Sequence, residues 1–253
     1  MPIIQTLPEN LINQIAAGEV VERPASCIKE LVENSIDAEA QSIIVEVESG
    51  GKTYIKVADD GFGMDKKDAK NCFLRHATSK IISQEDLCRI TTMGFRGEAI
   101  SSIASVSIMN LQTKKRGEMV GTAVSCEGGR ITKCDECAAR TGTQIEIKNL
   151  FYNTPVRQKY LKADTTEFQH VLEFMTAAAL SHQWVSFKLV HNGKMILDLP
   201  AGQSMLDRIR YVLGRETADN VIPVFDAGIS MKIEGYVGKP VVASSYRDNQ
   251  YIF

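Results

Sequence analysis

Along residues 24–38 the buried-type positions recur at helical spacing: Ile28, Leu31, Val32, Ser35 and Ile36 fall at i, i+3, i+4, i+7 and i+8 and share one stripe. Pro24 suits the first helical position, where a missing N–H and a preset φ cost nothing. At roughly 100° per residue, Glu30 and Asn34 lie about 40° apart on the opposite face, with Asp37 close by. Glu33 lies about 60° from Glu30 and about 100° from Asn34, which makes it the poorer neighbour for the amide. A solvated polar face satisfies this pattern as well as the wall of a site does.

Alternation takes over after this helix. Residues 42–48 and 54–58, joined through Ser49-Gly50-Gly51-Lys52, predict a β-hairpin. Asp65 is a candidate N-cap for a helix from Lys66 to about Arg75. Residues 75–98 form a polar, glycine-punctuated connection with a short helix starting near Ser83, long enough to serve as a lid or binding loop. Further helices are predicted over 97–104, 155–162 and 166–182, with strands at 106–112, 119–127 and 143–148. Asn192-Gly193 joins strands 185–190 and 195–199. Ahead of all these, residues 9–17 read as a helix with Leu11, Ile12 and Ile15 on its apolar side, ended by Gly18. Pro200-Ala201-Gly202 reads as a linker, followed by a helix at 205–213 and strands at 221–225, 230–237 and 246–253. The expected organisation is one domain over 1–200 and the truncated start of a second over 201–253.

Composition changes this picture little. An apolar share of 44% in 253 residues supports a sizeable core without disulfides. A net charge of −2 argues against a generally basic, DNA-coating protein, yet leaves room for a local basic groove. No basic-then-apolar leader and no run of about 18 apolar residues occurs, so a soluble intracellular protein without a membrane partner is expected. The six cysteines are irregularly spaced and read as free thiols. Cys134-x-x-Cys137 has no second pair and no histidine at ligand spacing, so two loop thiols are favoured over zinc or redox chemistry. Trp184 reads as core.

Three further stretches carry candidate chemistry. Asp59-x-Gly61-x-Gly63 leaves the second hairpin strand, where glycines admit a close ligand and the aspartate offers an acceptor to an amino group or a metal. A tight turn has the same composition. Gly94 and Gly97 flank Phe95-Arg96 just ahead of a helix, so free N–H groups, the helix dipole and a guanidinium could meet an anion. Gly142-Thr143 opens a strand.

Taken together and in this order, Glu30-x-x-x-Asn34, Asp59-x-Gly61-x-Gly63, Gly94-x-x-Gly97 and Gly142-Thr143 resemble the four nucleotide-binding motifs of the GHKL ATPases. That family includes gyrase, the heat-shock chaperone and histidine kinases. The longer strings at 13–24, Arg75-His76-Ala77-Thr78-Ser79-Lys80, 94–99 and 150–157 resemble the signature stretches of the MutL branch, which acts in DNA mismatch repair. The resemblance runs over essentially the whole chain. It implies an α/β fold, a two-layer α+β sandwich of the GHKL or Bergerat type. In that fold helices cover one face of a mixed, largely antiparallel sheet, and a partial ribosomal-S5-like second domain follows.

The same resemblance implies the roles. Glu30 is the general base that activates water toward the γ-phosphate of ATP, and Asn34 completes the shell of a Mg²⁺ bridging the phosphates. Asp59 accepts the adenine amino hydrogen, Thr143 assists through water, and Gly61 and Gly63 make room for the base. Asp37, Thr78, Ser79, Lys80, Gly94, Phe95, Arg96 and Gly97 complete the nucleotide site, the lid among them folding over the triphosphate. His76 is expected to shape the lid rather than transfer protons. His170, His182 and His191 lack ligand spacing.

The implied function is slow ATP hydrolysis that drives lid ordering and dimerisation, as a homodimer or a heterodimer within the MutL family. This couples the mismatch-recognition protein MutS to a downstream nuclease or helicase, in the cytoplasm if bacterial and the nucleus if eukaryotic. Arg157, Lys159 and Lys162 could contact DNA weakly, although a solvated basic face is the simpler account. A lysine that reaches the γ-phosphate is expected from the second domain beyond residue 253, so hydrolysis and dimerisation of this stretch alone are expected to be weak. Two rivals remain, a scaffold that does not hydrolyse ATP, and another GHKL machine such as a topoisomerase subunit or kinase. The MutL-type strings argue against the second.

Overall fold

The computed structural model describes residues 17–18, 20–80, 93–94, 97–228, 231–243 and 250–253. Helix α1 (Pro24–Asp37) buries Ile28, Leu31, Val32 and Ser35, the stripe anticipated above, together with Pro24, Ala25 and Cys27. Burying each large aliphatic contributes about 2 kcal/mol, which fixes the rotation of the helix and hence where its polar face points. Strands β1 (Ser42–Glu48) and β2 (Tyr54–Asp59) pair antiparallel, and Ile43, Val45, Val47, Ile55 and Val57 face the core. Helix α2 (Lys66–Asn71) begins at an Asp65 cap, whose carboxylate accepts from the N–H groups of Lys67 and Asp68.

Helix α3 (Ala99–Ser105) leads into β3 (Ile108–Lys114), β4 (Gly121–Glu127), β5 (Arg130–Cys137) and β6 (Gly142–Lys148). Helices α4 (Pro155–Tyr160) and α5 (Asp164–Ser181) precede the hairpin of β7 (Ser186–His191) and β8 (Lys194–Leu199). One eight-stranded sheet results, in the order β5-β4-β3-β6-β2-β1-β7-β8. Its neighbours run antiparallel except for β1 and β7, which are parallel. The inward side chains of these strands and the apolar sides of α1, α3 and α5 form one core. The arrangement matters for the site because β2 ends where its neighbour β6 begins: Ala58 pairs with Gln144, so Asp59 and Thr143 meet at the shared end of two interior strands.

Several elements depart from the sequence expectations. Gly18 does not end the early helix, since Ala17, Gly18 and Val20 are all helical; the rest of the expected 9–17 helix, and the short helix near Ser83, lie outside the described residues. Cys134 and Cys137 are strand residues, not loop thiols. Three residues apart on a pleated strand, their side chains point to opposite faces, a poor arrangement for a shared ligand. Trp184 is 63% exposed and sits edge-on to His182 rather than in the core. Beyond β8 come α6 (Met205–Val212), α7 (Arg215–Asp219, not anticipated), and an antiparallel pair of β9 (Val221–Ala227) and β10 (Lys232–Gly238). Residues 250–253 carry no strand, and 246–249 of the expected last strand lie outside the described residues.

Candidate functional site

Between the polar face of α1, the end of β2, the start of β6 and the described parts of the 75–98 connection lies a cavity of about 1090 Å³. Its helical wall carries Glu30, Asn34 and Asp37, as the helical angles require, and Glu33 as well. Glu33, the poorer partner by angle, still reaches a cavity this wide. Burial pushes its carboxyl above the usual range, against the pull of Lys29 and Lys80.

At one end Asp59 is held from three sides. Its Oδ1 accepts from Gly61 N (2.9 Å) and Thr143 N (3.1 Å), and its Oδ2 accepts from the Ser35 hydroxyl (2.9 Å). Burial raises the Asp59 carboxyl above its ordinary range, partly offset by these three hydrogen bonds, while the nearby Asp60 adds to the rise. A carboxylate so fixed is an acceptor aimed at whatever enters. Gly63, at φ 64°, also lines this end; a side chain there would run into the Lys114 carbonyl. Gly61 sits behind the wall, where a Cβ would come within 2.6 Å of the Ala38 carbonyl, so its lack of a side chain serves the packing of the turn on α1. Met64, Val57 and Ile145 give the same region apolar lining.

At the other end Lys80 reaches across to α1. Its Nζ donates to Asn34 Oδ1 (2.9 Å) and Asp37 Oδ2 (2.6 Å). Asp37 also accepts from Met93 N (3.2 Å) and Gly94 N (3.3 Å), so one carboxylate gathers both described ends of the lid. Thr78, Ser79 and His76 line the cavity; Thr78 Oγ1 accepts from Lys80 N. Gly97, at φ 63°, brings the second lid segment against the first, since a Cβ would meet Ala77 O at 2.6 Å. His76 Nδ1 lies 3.1 Å from Glu98 Oε1, within the lid. Phe95 and Arg96 lie outside the described residues.

Two contributors were not singled out from the sequence. Ser35 was assigned to the apolar stripe, yet its hydroxyl braces Asp59. Thr113, fully buried near the end of β3, accepts from Met64 N (2.9 Å) and lies 3.0 Å from both Gly142 O and Thr143 Oγ1. The available signal was a polar residue at an inward position, visible in each case but without its partner. Elsewhere, Lys159 and Lys162 are exposed, whereas the Arg157 guanidinium lies against Gly18.

An acceptor-walled apolar corner, a carboxylate and a carboxamide on one helix, and a glycine-punctuated connection tied to that helix thus meet around one cavity. Residues 22–149 match the family described as "Histidine kinase-, DNA gyrase B-, and HSP90-like ATPase", and the chain belongs to that family. Within it the similarity is to MutL. The chain is 46% identical over 251 residues to the DNA mismatch repair protein MutL of Christiangramia forsetii, covering 99% of this chain and 40% of that protein. The MutL of Clostridium botulinum is 46% identical over 253 residues, with 38% of its length covered. The chain thus spans about two fifths of the curated relatives it matches. Among solved structures, the Aquifex aeolicus MutL ATPase domain complexed with ADP aligns with a TM-score of 0.64 and 31% identity, over 82% of this chain and 73% of that one. The N-terminal domain of a DNA repair protein shares the fold, with a TM-score of 0.79 at 24% identity over 94% of this chain and 75% of that one.

Proposed function

We propose that this chain is the ATP-binding region of a MutL-type mismatch repair protein, and that its cavity takes ATP with Mg²⁺ and hydrolyses the nucleotide slowly. The observation that carries the reading is the Asp59 carboxylate, braced by three donors at the apolar end of a cavity whose far wall presents Glu30 and Asn34. Adenine enters beside Met64 and Ile145, and its amino group donates to Asp59. Glu30 accepts a proton from the attacking water as the water oxygen bonds to the γ-phosphorus and the bond from that phosphorus to the β,γ-bridging oxygen breaks, with ADP as the leaving group. The backbone N–H groups of the lid and the Lys80 ammonium meet the triphosphate.

The donor set fits a hard cation. Asn34 Oδ1 is a neutral oxygen amid carboxylates, and it already accepts from an ammonium. Asn34 would hold Mg²⁺ together with phosphate oxygens and water, and the ion would supply charge neutralisation at the phosphates.

Binding would be read out as lid ordering and as dimerisation, with another copy or a related chain. This would couple mismatch recognition by MutS to a downstream nuclease or helicase. Residues 201–253 would begin a second domain; the β9–β10 pair, separate from the eight-stranded sheet, supports that division, and Leu180 of α5 packs with Ile209 and Ala218 across the boundary. Weak DNA contact would draw on Lys159 and Lys162 more than on Arg157. Among the described residues no helix is long and apolar enough to cross a membrane.

Titration with a fluorescent ATP analogue, with and without Mg²⁺, tests the site. Saturable binding that Mg²⁺ strengthens and Asp59→Ala abolishes supports it; binding indifferent to Asp59→Ala contradicts it.

A further inference from the structure

We infer that the Lys80 ammonium fills a cation seat between Asn34 and Asp37, and that it admits Mg²⁺ there only by exchange, once a triphosphate offers the ammonium new partners. The inference rests on the reading of Asn34 as a Mg²⁺ ligand given above. Lys80 Nζ donates to Asn34 Oδ1 at 2.9 Å and to Asp37 Oδ2 at 2.6 Å, so two oxygens from neighbouring positions on α1 converge on one positive charge. The Lys80 side chain is 19% exposed and that of Asp37 is 9% exposed. Gly94 closes over the contact, since a Cβ there would lie 3.3 Å from Nζ and 3.6 Å from Asn34 Oδ1. Met93 N and Gly94 N donate to the same Asp37 carboxylate. A charge seated this way is only weakly screened by salt.

An amide oxygen beside a carboxylate oxygen suits an ammonium and a hard divalent ion alike. It does not suit both at once. A dication on Asn34 Oδ1 would face an ammonium hydrogen-bonded to the same oxygen, and weakly screened like charges that close repel strongly. The charge of Lys80 also reaches along the wall, where it draws the Glu33 carboxyl down against the effect of burial. Withdrawing the ammonium with nothing in its place would strip Asp37 of its counter-charge. A triphosphate changes that balance, because its anionic oxygens are charge-assisted acceptors for the departing ammonium. Lys80 thereby orders the binding: it excludes the metal alone and yields the seat when metal and nucleotide arrive together.

The experiment titrates the full chain with Mn²⁺, a paramagnetic ion with the same oxygen preference, in the absence of nucleotide, and follows the free ion by electron paramagnetic resonance. Lys80→Met is expected to bind Mn²⁺ about tenfold or more tighter than wild type, whereas Lys80→Arg, which keeps the charge, stays within about twofold of it. Lys80→Gln, a second neutral variant, is expected to move in the same direction if the methionine variant does not fold. Lys29→Met removes an equal charge from a lysine that is 55% exposed and pairs with Glu33 at 3.9 Å, and its gain is expected to stay below about threefold. Adding Asn34→Ala to Lys80→Met abolishes the gain. No gain in either neutral variant, or equal gains in Lys80→Met and Lys29→Met, overturns the inference while sparing Asn34 as a ligand. ATP binding to wild type that is indifferent to Mg²⁺ overturns the reading of Asn34, and this inference with it.

Discussion

Asp59 shows how far residue-scale chemistry is set by neighbours distant in sequence. The Asp59-x-Gly61-x-Gly63 pattern singled out Asp59 as a candidate acceptor, but not its bracing. Ser35 lies 24 positions earlier and Thr143 lies 84 later, and no local pattern reports a hydrogen bond across such separations. The same applies to Thr113 and Thr143, which are 30 apart and meet only because β3 and β6 pair. Burial raises the Asp59 carboxyl, so acidification protonates it at a higher pH than an exposed aspartate. ATP affinity is accordingly expected to fall as the pH drops through that raised value. Asp59→Asn should bind about tenfold more weakly and show no such fall over the same window, as followed by calorimetry at several pH values. The stability linkage has the opposite sense. Because the folded state binds this proton more tightly, Asp59's contribution is fully present below the unfolded pKa and is lost as the pH rises through the folded one.

Helix α1 and the β1–β2 hairpin were legible from one buried face each, whereas β5 was not. Helix α1 and the β1–β2 hairpin carry clear periodicities of 3.6 and 2 because one side of each enters the core. Strand β5, the edge of the sheet, has no buried residue along Arg130–Cys137, so its sequence shows no alternation and it passed for a loop. The 75–98 connection was legible as a polar, glycine-punctuated stretch, but not its attachment. That attachment is Asp37, which collects Lys80 Nζ, Met93 N and Gly94 N on a single carboxylate. Asp37→Ala is expected to raise hydrogen exchange at the Met93 and Gly94 amides about tenfold or more, with the amides of β1 unchanged. Equal protection in the variant would show that other contacts hold these segments. Lys80→Met removes a donor to Asn34 Oδ1 as well, so it should weaken ATP binding and the lid attachment together.

For the molecule as a whole, the order of the sheet strands was beyond the sequence, although the sandwich class followed from the motif resemblance. Arg208 helps to tie the region after β8 to the end of α5 and the turn that follows it. Arg208 of α6, fully buried, donates to the carbonyls of Ala179 (2.9 Å), Gln183 (3.2 Å), Val185 (2.7 Å) and Pro200 (2.9 Å). It thereby fastens the turn read as a linker to the end of α5. Nothing in the spacing around Arg208 marks it, since its acceptors are main-chain atoms. Arg208→Met strands those acceptors and is expected to cost about 3 kcal/mol in denaturant unfolding, with ATP affinity of the folded protein preserved. The proposal that Glu30 on the α1 wall acts on a nucleotide held at Asp59 is decided by single-turnover ATP hydrolysis of Glu30→Ala beside wild type, with ATP affinity measured on the same samples. Hydrolysis is expected to fall by roughly a hundredfold or more while ATP affinity stays within about threefold. Hydrolysis by the variant at the wild-type rate would contradict it.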